Sequence, residues 1–421
     1  MQWFGFVPES EAVKKWQWRP TFAFYEHYSN NVNLSSDTPI AGYRTQIIPA
    51  VSAILPSKRR QIKVNMNLKL DMRSQDDGLV RNLHWIALNG YWAHELSPRT
   101  SYEVSSAYDI TYTTSDLGVP WFGAFGETTR ADFMSFAPSL RYRISKKTFV
   151  KIGASYRSIS YTDPDGADGT QFDFAGTINR KFGNRLTIQT GLNYRQKEFS
   201  NQTGYTQMTV PINIVMDLTY FKLNLGTQVL NRTSSQSNAS GVGARKKPYF
   251  LWGLGFDLGG KLFKFRNTTF NIKLTNDIYE DLFGYAYIKQ EFKLMSFHIL
   301  KKVDIYNEVK YGQNNYVSPN PQNGIDNISY YGYQGSLKWY MTKKKSLKGR
   351  IMYTMYDYVY VARSGFADNS FTVMSMDVTY NQQVRDWLYA GLSFGTRNSS
   401  SPQPSGNYGE YFAGLFLKSS W

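Results

Sequence analysis

From about Trp18 to the end of the chain, apolar and polar residues alternate in short runs separated by turn residues. The clearest run is 61–74. There Ile62, Val64, Met66, Leu68, Leu70 and Met72 interleave with Gln61, Lys63, Asn65, Asn67, Lys69, Asp71 and Arg73. A period of two predicts a strand with one face in an apolar medium and the other in water. The same period recurs in residues 101–113, where Tyr102, Val104, Tyr108, Ile110 and Tyr112 alternate with Glu103, Ser105, Asp109 and Thr111. It returns in residues 171–179, 207–217 and 411–421.

A soluble sandwich would also alternate, so the connections discriminate. One set is short, as in Pro56-Ser57-Lys58-Arg59, Ser97-Pro98-Arg99-Thr100, Ser145-Lys146-Lys147-Thr148, Phe182-Gly183-Asn184-Arg185, Lys343-Lys344-Lys345-Ser346 and Val384-Arg385-Asp386. The other set is longer and rich in Gly, Asn, Ser and Asp: residues 115–130, 163–170, 233–246, 312–326 and 397–407. Short turns alternating with long loops predict an all-β fold, an antiparallel up-and-down transmembrane β-barrel with short periplasmic turns and longer extracellular loops. The pattern supports 18–20 strands, with residues 216–220 and 259–276 readable either as strand or as connection. Barrel residues would run from 18 to 421, after an N-terminal periplasmic segment of residues 1–17. In that segment Pro8 to Lys15 reads equally as a short helix or as a linker.

Composition narrows the classes. Aromatic residues make up 16% of the 421-residue chain, yet mean hydropathy is −0.45, a pairing that suits a wall with one greasy face and one wet face. No stretch approaches the 18 apolar residues of a membrane-spanning helix, and large aromatics at this density exclude disorder. With no cysteine, disulfides, thiolate metal sites and cysteine nucleophiles are absent. Residues 1–20 lack a secretory leader's basic start and apolar core, so the sequence reads as a mature or trimmed form. The net charge of +16 is polarised. Lys58, Arg59, Arg60, Arg99, Lys146, Lys147, Lys181, Arg185, Lys301, Lys302 and Lys343 to Lys345 sit at the short turns, whereas Asp76, Asp77, Asp116, Glu127, Asp163, Asp165, Asp168, Asp326 and Asp368 sit in the loops. A nucleic-acid groove would not require that separation, and no nucleic-acid partner is expected.

Chemical motifs are few. Gly255 to Lys261 fits the first positions of a phosphate-binding loop, but Leu262 stands where Ser or Thr is needed, and Phe250, Trp252, Leu254 and Phe256 alternate as a strand. Asp163, Asp165 and Asp168 form a candidate loop calcium site, competing with a plain solvated turn, and lack the spacing of a helical calcium hand. His27, His84, His94 and His298 are scattered, with no Ser and Asp set beside them, so no catalytic residue, resident metal or cofactor is assigned. Asn201, Asn231, Asn238, Asn267, Asn327 and Asn398 match the glycosylation pattern and read as polar loop and turn residues.

The remaining constellation is the wet face itself. If the apolar face meets lipid, then Lys63, Lys69, Arg73, Arg141, Arg143, Lys151, Arg157, Arg195 and Lys197 point into the lumen as pore-lining bases, with Asp71, Glu103, Asp109 and Asp173 as the chief acids among them. A net-positive wall lowers the entry barrier for anions, unless the bases pair with acids across strands. Trp85, Tyr91, Trp92, Tyr331, Tyr333, Trp339, Tyr356, Tyr358 and Tyr360 divide between an interfacial girdle and inward platforms on which sugar faces could stack.

Trp16-Gln17-Trp18-Arg19-Pro20 through Tyr25, followed by Asn30-Asn31-Val32-Asn33, resembles the opening of the β-barrel porin type 2 family. The turns Leu96-Ser97-Pro98-Arg99-Thr100 and Ile144-Ser145-Lys146-Lys147-Thr148 are similar to the turns that family repeats between long strands. The last strand, ending at Trp421, looks like the signature read by bacterial barrel-assembly machinery. The resemblance implies a bacterial outer-membrane barrel linked to exopolysaccharide export. The expectation is a non-enzymatic, porin-like channel giving a hydrated, anion-biased path for polysaccharide or small solutes. Its partners would be outer-membrane lipid and lipopolysaccharide, an anionic polysaccharide cargo, a periplasmic partner and further copies of itself. The competing readings are a non-conducting structural barrel that docks a partner on the apolar loop around Trp121, and a barrel enzyme acting on lipid.

Overall fold

The computed structural model describes residues 15–31, 39–56, 59–75, 80–114, 128–162, 168–200, 204–218, 221–234, 249–258, 267–280, 286–316, 325–360, 369–400 and 407–420. These residues form 20 strands and no helix. In chain order they are β1 (Gln17–Ser29), β2 (Gly42–Pro56), β3 (Arg60–Gln75), β4 (Val80–Ser97), β5 (Thr100–Thr114), β6 (Thr128–Ser145), β7 (Thr148–Tyr161), β8 (Gly169–Phe182), β9 (Leu186–Phe199), β10 (Tyr205–Asp217), β11 (Phe221–Ser234), β12 (Tyr249–Leu258), β13 (Thr268–Glu280), β14 (Ala286–Ile299), β15 (Val303–Tyr316), β16 (Ile325–Tyr340), β17 (Lys345–Tyr360), β18 (Asn369–Arg385), β19 (Leu388–Ser400) and β20 (Tyr408–Ser420). Each pairs antiparallel with its neighbours in sequence, and β1 pairs with β20 through Thr21–Ser29 against Phe412–Ser420. The sheet is therefore a closed up-and-down barrel.

Closure is reinforced by side chains at the loop rim. Ser29 Oγ donates to Glu410 Oε1 at 2.9 Å, the Asn31 amide donates to the Gly409 carbonyl at 2.9 Å, and the Tyr411 N–H donates to Asn30 Oδ1 at 2.7 Å. These bonds bridge the two ends of the sequence where the ladder stops.

Two ambiguities in the pattern resolve. Residues 216–220 contain the short connection between β10 and β11, and residues 259–267 separate β12 from β13. Strands also run further than the polar loops suggested, since Gly312 to Tyr316 belongs to β15 and Arg397 to Ser400 to β19. Ladder bonds come from the backbone, so Asn, Gln and Ser can extend a strand where its rim stands in water. The phosphate-loop match falls within β12 from Gly255 to Leu258, and the rest of it lies outside the described residues.

Because paired residues share a face of the sheet, register carries sidedness from strand to strand. Met66 pairs with Leu88, Leu88 with Tyr108, and Tyr108 with Met134, and all four are exposed. The same row type continues through Phe136, Tyr156 and Phe172. A contiguous exposed apolar band on a closed sheet can only be the lipid-facing side. The band ends before the loop rim, where outward-facing Glu26 accepts from Thr45 Oγ1 at 2.6 Å and Arg130 pairs with Asp132 at 2.8 Å.

This sidedness predicts an asymmetric response to charge at adjacent positions in mid-β3. Met66→Arg should destabilise the barrel by about 2–4 kcal/mol, whereas Asn65→Arg on the other face should be close to neutral. Equilibrium unfolding in lipid vesicles measures both, and equal penalties would overturn the assignment.

Candidate functional site

The inner wall carries the chemistry. Asp71 is buried on β3, and its carboxylate accepts from Arg44 Nη2 at 2.5 Å and from the Gln46 amide at 3.0 Å, both on β2. Further round the wall, Lys151 of β7 reaches past β6 to Glu103 of β5 at 3.1 Å. Asp173 of β8 accepts from Arg195 Nε of β9 at 2.6 Å, from Gln171 at 2.6 Å and from Ser155 at 3.1 Å. Arg232 of β11 donates to Gln207 Oε1 of β10 and lies over the Tyr205 ring at 4.0 Å.

The bases predicted to line the lumen all occupy the face opposite the apolar band, by register. Lys63 pairs in backbone register with Tyr91 and Lys69 with Trp85, Lys69 standing 4.3 Å over the Trp85 ring. Arg73 lies opposite Arg44. Arg141 stacks on Phe149 at 3.9 Å, Lys197 on Phe199 at 4.6 Å, and Arg143 and Arg157 are exposed. Lys151 and Arg195 are therefore held by carboxylates, and Lys69, Arg141 and Lys197 gain cation–π attraction from aromatic rings.

The C-terminal half holds a constellation that the N-terminal emphasis of the sequence reading missed. Glu291 on β14 accepts from Lys293 at 2.9 Å and Lys289 at 3.2 Å on its own strand. The Tyr330 hydroxyl of β16 donates to it at 2.6 Å. Tyr330 can cross β15 only because Gly312 lies beneath its ring, which an added Cβ would strike. Lys310 of β15 lies with its stem against Gly332 and its ammonium 5.9 Å from the Tyr330 ring. The alternation of Lys289, Glu291 and Lys293 was the available signal. Beyond it, Arg350 pairs with Asp377 at 2.6 Å and Arg397 with Glu410 at 3.4 Å.

The aromatic residues divide by face. Trp92, Tyr331, Tyr333 and Trp339 are exposed outward, and Trp85, Tyr91, Tyr356 and Tyr358 face inward. Tyr358 packs with Ile328, Phe371 and Val373 as a small buried cluster on the inner wall, with Phe371 stacked 4.8 Å from Tyr356. The side chain of Tyr360 is outside the described set.

At the candidate calcium loop, Asp168 Oδ1 accepts the Tyr161 N–H at 2.6 Å and Oδ2 accepts from Ser160 at 3.4 Å, so this carboxylate fastens the connection between β7 and β8. Asp163 and Asp165 lie outside the described residues, as do residues 115–127 of the apolar loop. Among the described residues, no three His, Cys, Asp or Glu side chains gather as a metal site.

A closed 20-stranded wall, apolar outside and charged inside, has the fold of a large bacterial outer-membrane β-barrel. No family model matches the chain, and no curated protein matches it, so the finer family resemblance gains no support there. Solved structures do match. The FrpB iron transporter from Neisseria meningitidis, in its apoprotein form, aligns with a TM-score of 0.58 at 8% identity, over 96% of this chain and 81% of that one. The siderophore receptor PirA from Pseudomonas aeruginosa aligns at 0.55 and 10% identity, over 96% and 80%. A copper transporter, OprC, aligns at 0.55 and 8% identity, over 98% and 81%. At such identities the likeness is one of fold.

The Glu291 cluster generates a graded prediction. Tyr330→Phe deletes one hydrogen bond to a charged group and should cost about 1.5–3 kcal/mol. Gly312→Ala should act through the same bond by pushing the ring off the wall, adding an overpacking penalty of about 1–3 kcal/mol. The double variant should then cost less than the sum of the two, as urea titration in micelles would reveal.

Proposed function

We propose that the protein is a transport channel of the bacterial outer membrane, providing a hydrated path whose basic inner wall favours anionic solutes or acidic polymers. The observation that carries this reading is the set of charged and amide side chains that strands β2 to β9 and β14 present on the inner face of a closed 20-strand ring. At this strand number the interior is wider than wall side chains can fill. The similar solved structures, described as iron and copper transporters and a siderophore receptor, support transport as the class.

Mechanism needs no covalent chemistry. A solute that leaves bulk water meets donors and acceptors fixed on the wall, which replace part of its hydration. Lys63, Lys69, Arg73, Arg141, Arg143 and Arg157 supply positive potential. Lys151 and Arg195 contribute less, since Glu103 and Asp173 offset their charge. Export of polysaccharide, as the porin type 2 resemblance implies, is the cargo reading that this wall accommodates.

The test is single-channel conductance of the refolded protein in a planar bilayer, with reversal potential under a salt gradient. A steady anion-preferring current is expected. Replacing Lys63, Lys69, Arg141 and Arg157 together by Glu should reverse the preference. Glu103→Gln with Asp173→Asn should move it the other way, because two bases lose their counter-charges. A folded barrel that passes no current would overturn the channel.

A further inference from the structure

Between β10 and β13 the inner wall is hollowed rather than studded. Asn213, Gly226, Gly253 and Thr275 stand in one row across four adjacent strands, each in register with the next. Two of these four positions lack a side chain, and they are neighbours. A Cβ placed on Gly253 would meet nothing closer than the Leu274 carbonyl at 3.8 Å and Thr275 Cγ2 at 3.9 Å, so the space above it is open. At Gly226 the nearest atom would be Asn213 Oδ1 at 3.0 Å, which places the amide of Asn213 at the edge of the hollow. On the side towards the loops, Gln228 donates across β12 to Asp277 Oδ1 at 3.1 Å and forms a polar lip. The hollow holds about 180 Å³.

Paired interior glycines weaken a strand, and they mark places where something approaches the backbone closely. The occupant can be read from the lining. Beside the apolar Pro211 and Leu251, two amides, a hydroxyl and a carboxylate give donors and acceptors in close alternation, which suits a ligand with both an apolar face and groups that donate and accept. A wholly apolar ligand would strip water from these groups without replacing it. A bare cation is far too small, since the hollow equals roughly six waters at about 30 Å³ each. An anion is disfavoured at the lip by Asp277. That carboxylate already accepts from Gln228 and has further acceptor capacity for a ligand hydroxyl.

We propose that this hollow is a saccharide subsite that takes one neutral, hydroxyl-rich sugar unit against the inner wall. The inference rests on the channel reading and deepens it by naming where on the wall a sugar unit would seat and which side chains would hold it. A unit of a passing saccharide would seat over Gly226 and Gly253, with its hydroxyls on Asn213, Gln228, Thr275 and Asp277.

The decisive variant is Gly253→Val. Valine is favoured in strands and has room here, so the barrel should fold while the hollow fills. Asp277→Ala removes the acceptor without filling it. Glucose is the probe, titrated calorimetrically into the folded full-length protein in detergent micelles, which reads binding without requiring current. Native protein should bind saturably with a dissociation constant on the order of millimolar. Gly253→Val and Asp277→Ala should each weaken it at least about tenfold. Absence of saturable binding by the folded native protein, or unchanged binding by Gly253→Val, would overturn the subsite. Glucose binding by a barrel that passes no current would leave the subsite standing and remove the channel. Current without glucose binding would do the reverse.

Discussion

Everything in this molecule follows from the fact that hydrocarbon offers a backbone no hydrogen bonds. Each unpaired N–H or C=O left in lipid costs several kcal/mol, so a sheet crossing a membrane cannot end in an edge. The pairing of β1 with β20 is the contact that meets this requirement. Ser29, Asn30 and Asn31 meeting Gly409, Glu410 and Tyr411 place side-chain bonds at the rim where the backbone ladder gives out. Local pairing joins each other strand to its neighbour within a few turns, whereas this one must wait for the whole chain.

Closure then dictates the electrostatics. Once the apolar positions are turned outward, the intervening positions must all face one another across the interior, and the period of two loads that interior with charge. The wall satisfies many of these charges within itself. Arg44 with Asp71, Arg195 with Asp173 and Arg350 with Asp377 each clip neighbouring strands together, and Lys151 with Glu103 spans the strand between theirs. Most are partly exposed, so each adds little to stability, and their larger effect is on the field inside the barrel. Around Glu291 and Glu308, Lys289, Lys293 and Lys310 outnumber the acids by one, which leaves that stretch slightly positive despite its ion pairs.

The fold matches known barrels over nearly the whole chain while sharing only 8–10% of residues with them. Such a divergence has a simple cause. A strand of this kind needs an apolar residue at every second position and tolerates almost any choice among Val, Leu, Met, Phe and Tyr. Among the described residues, many large apolar side chains stand exposed on the outer face rather than packed in a solid core of the sort that preserves sequence. Small turn motifs can therefore resemble one barrel family while the architecture is shared with many.

The sequence by itself determined the architecture. Alternation in residues 61–74 set both the strand and its sidedness, and the unequal connections set the up-and-down order, because these are local properties of period and turn chemistry. It also placed Lys63, Lys69, Arg141 and Lys151 on the wet face, for the same reason. Only the tertiary structure decided what each wet-face residue does there. Whether a base pairs with an acid depends on inter-strand register, as with Lys151 reaching Glu103 from two strands away. Which tyrosine lies flat depends on the glycine that register brings beneath it, as Gly312 lies under Tyr330. The hollow over Gly226 and Gly253 belongs to the same category. Neither glycine predicts anything alone, and their adjacency arises from the pairing of β11 with β12, which a linear pattern does not encode.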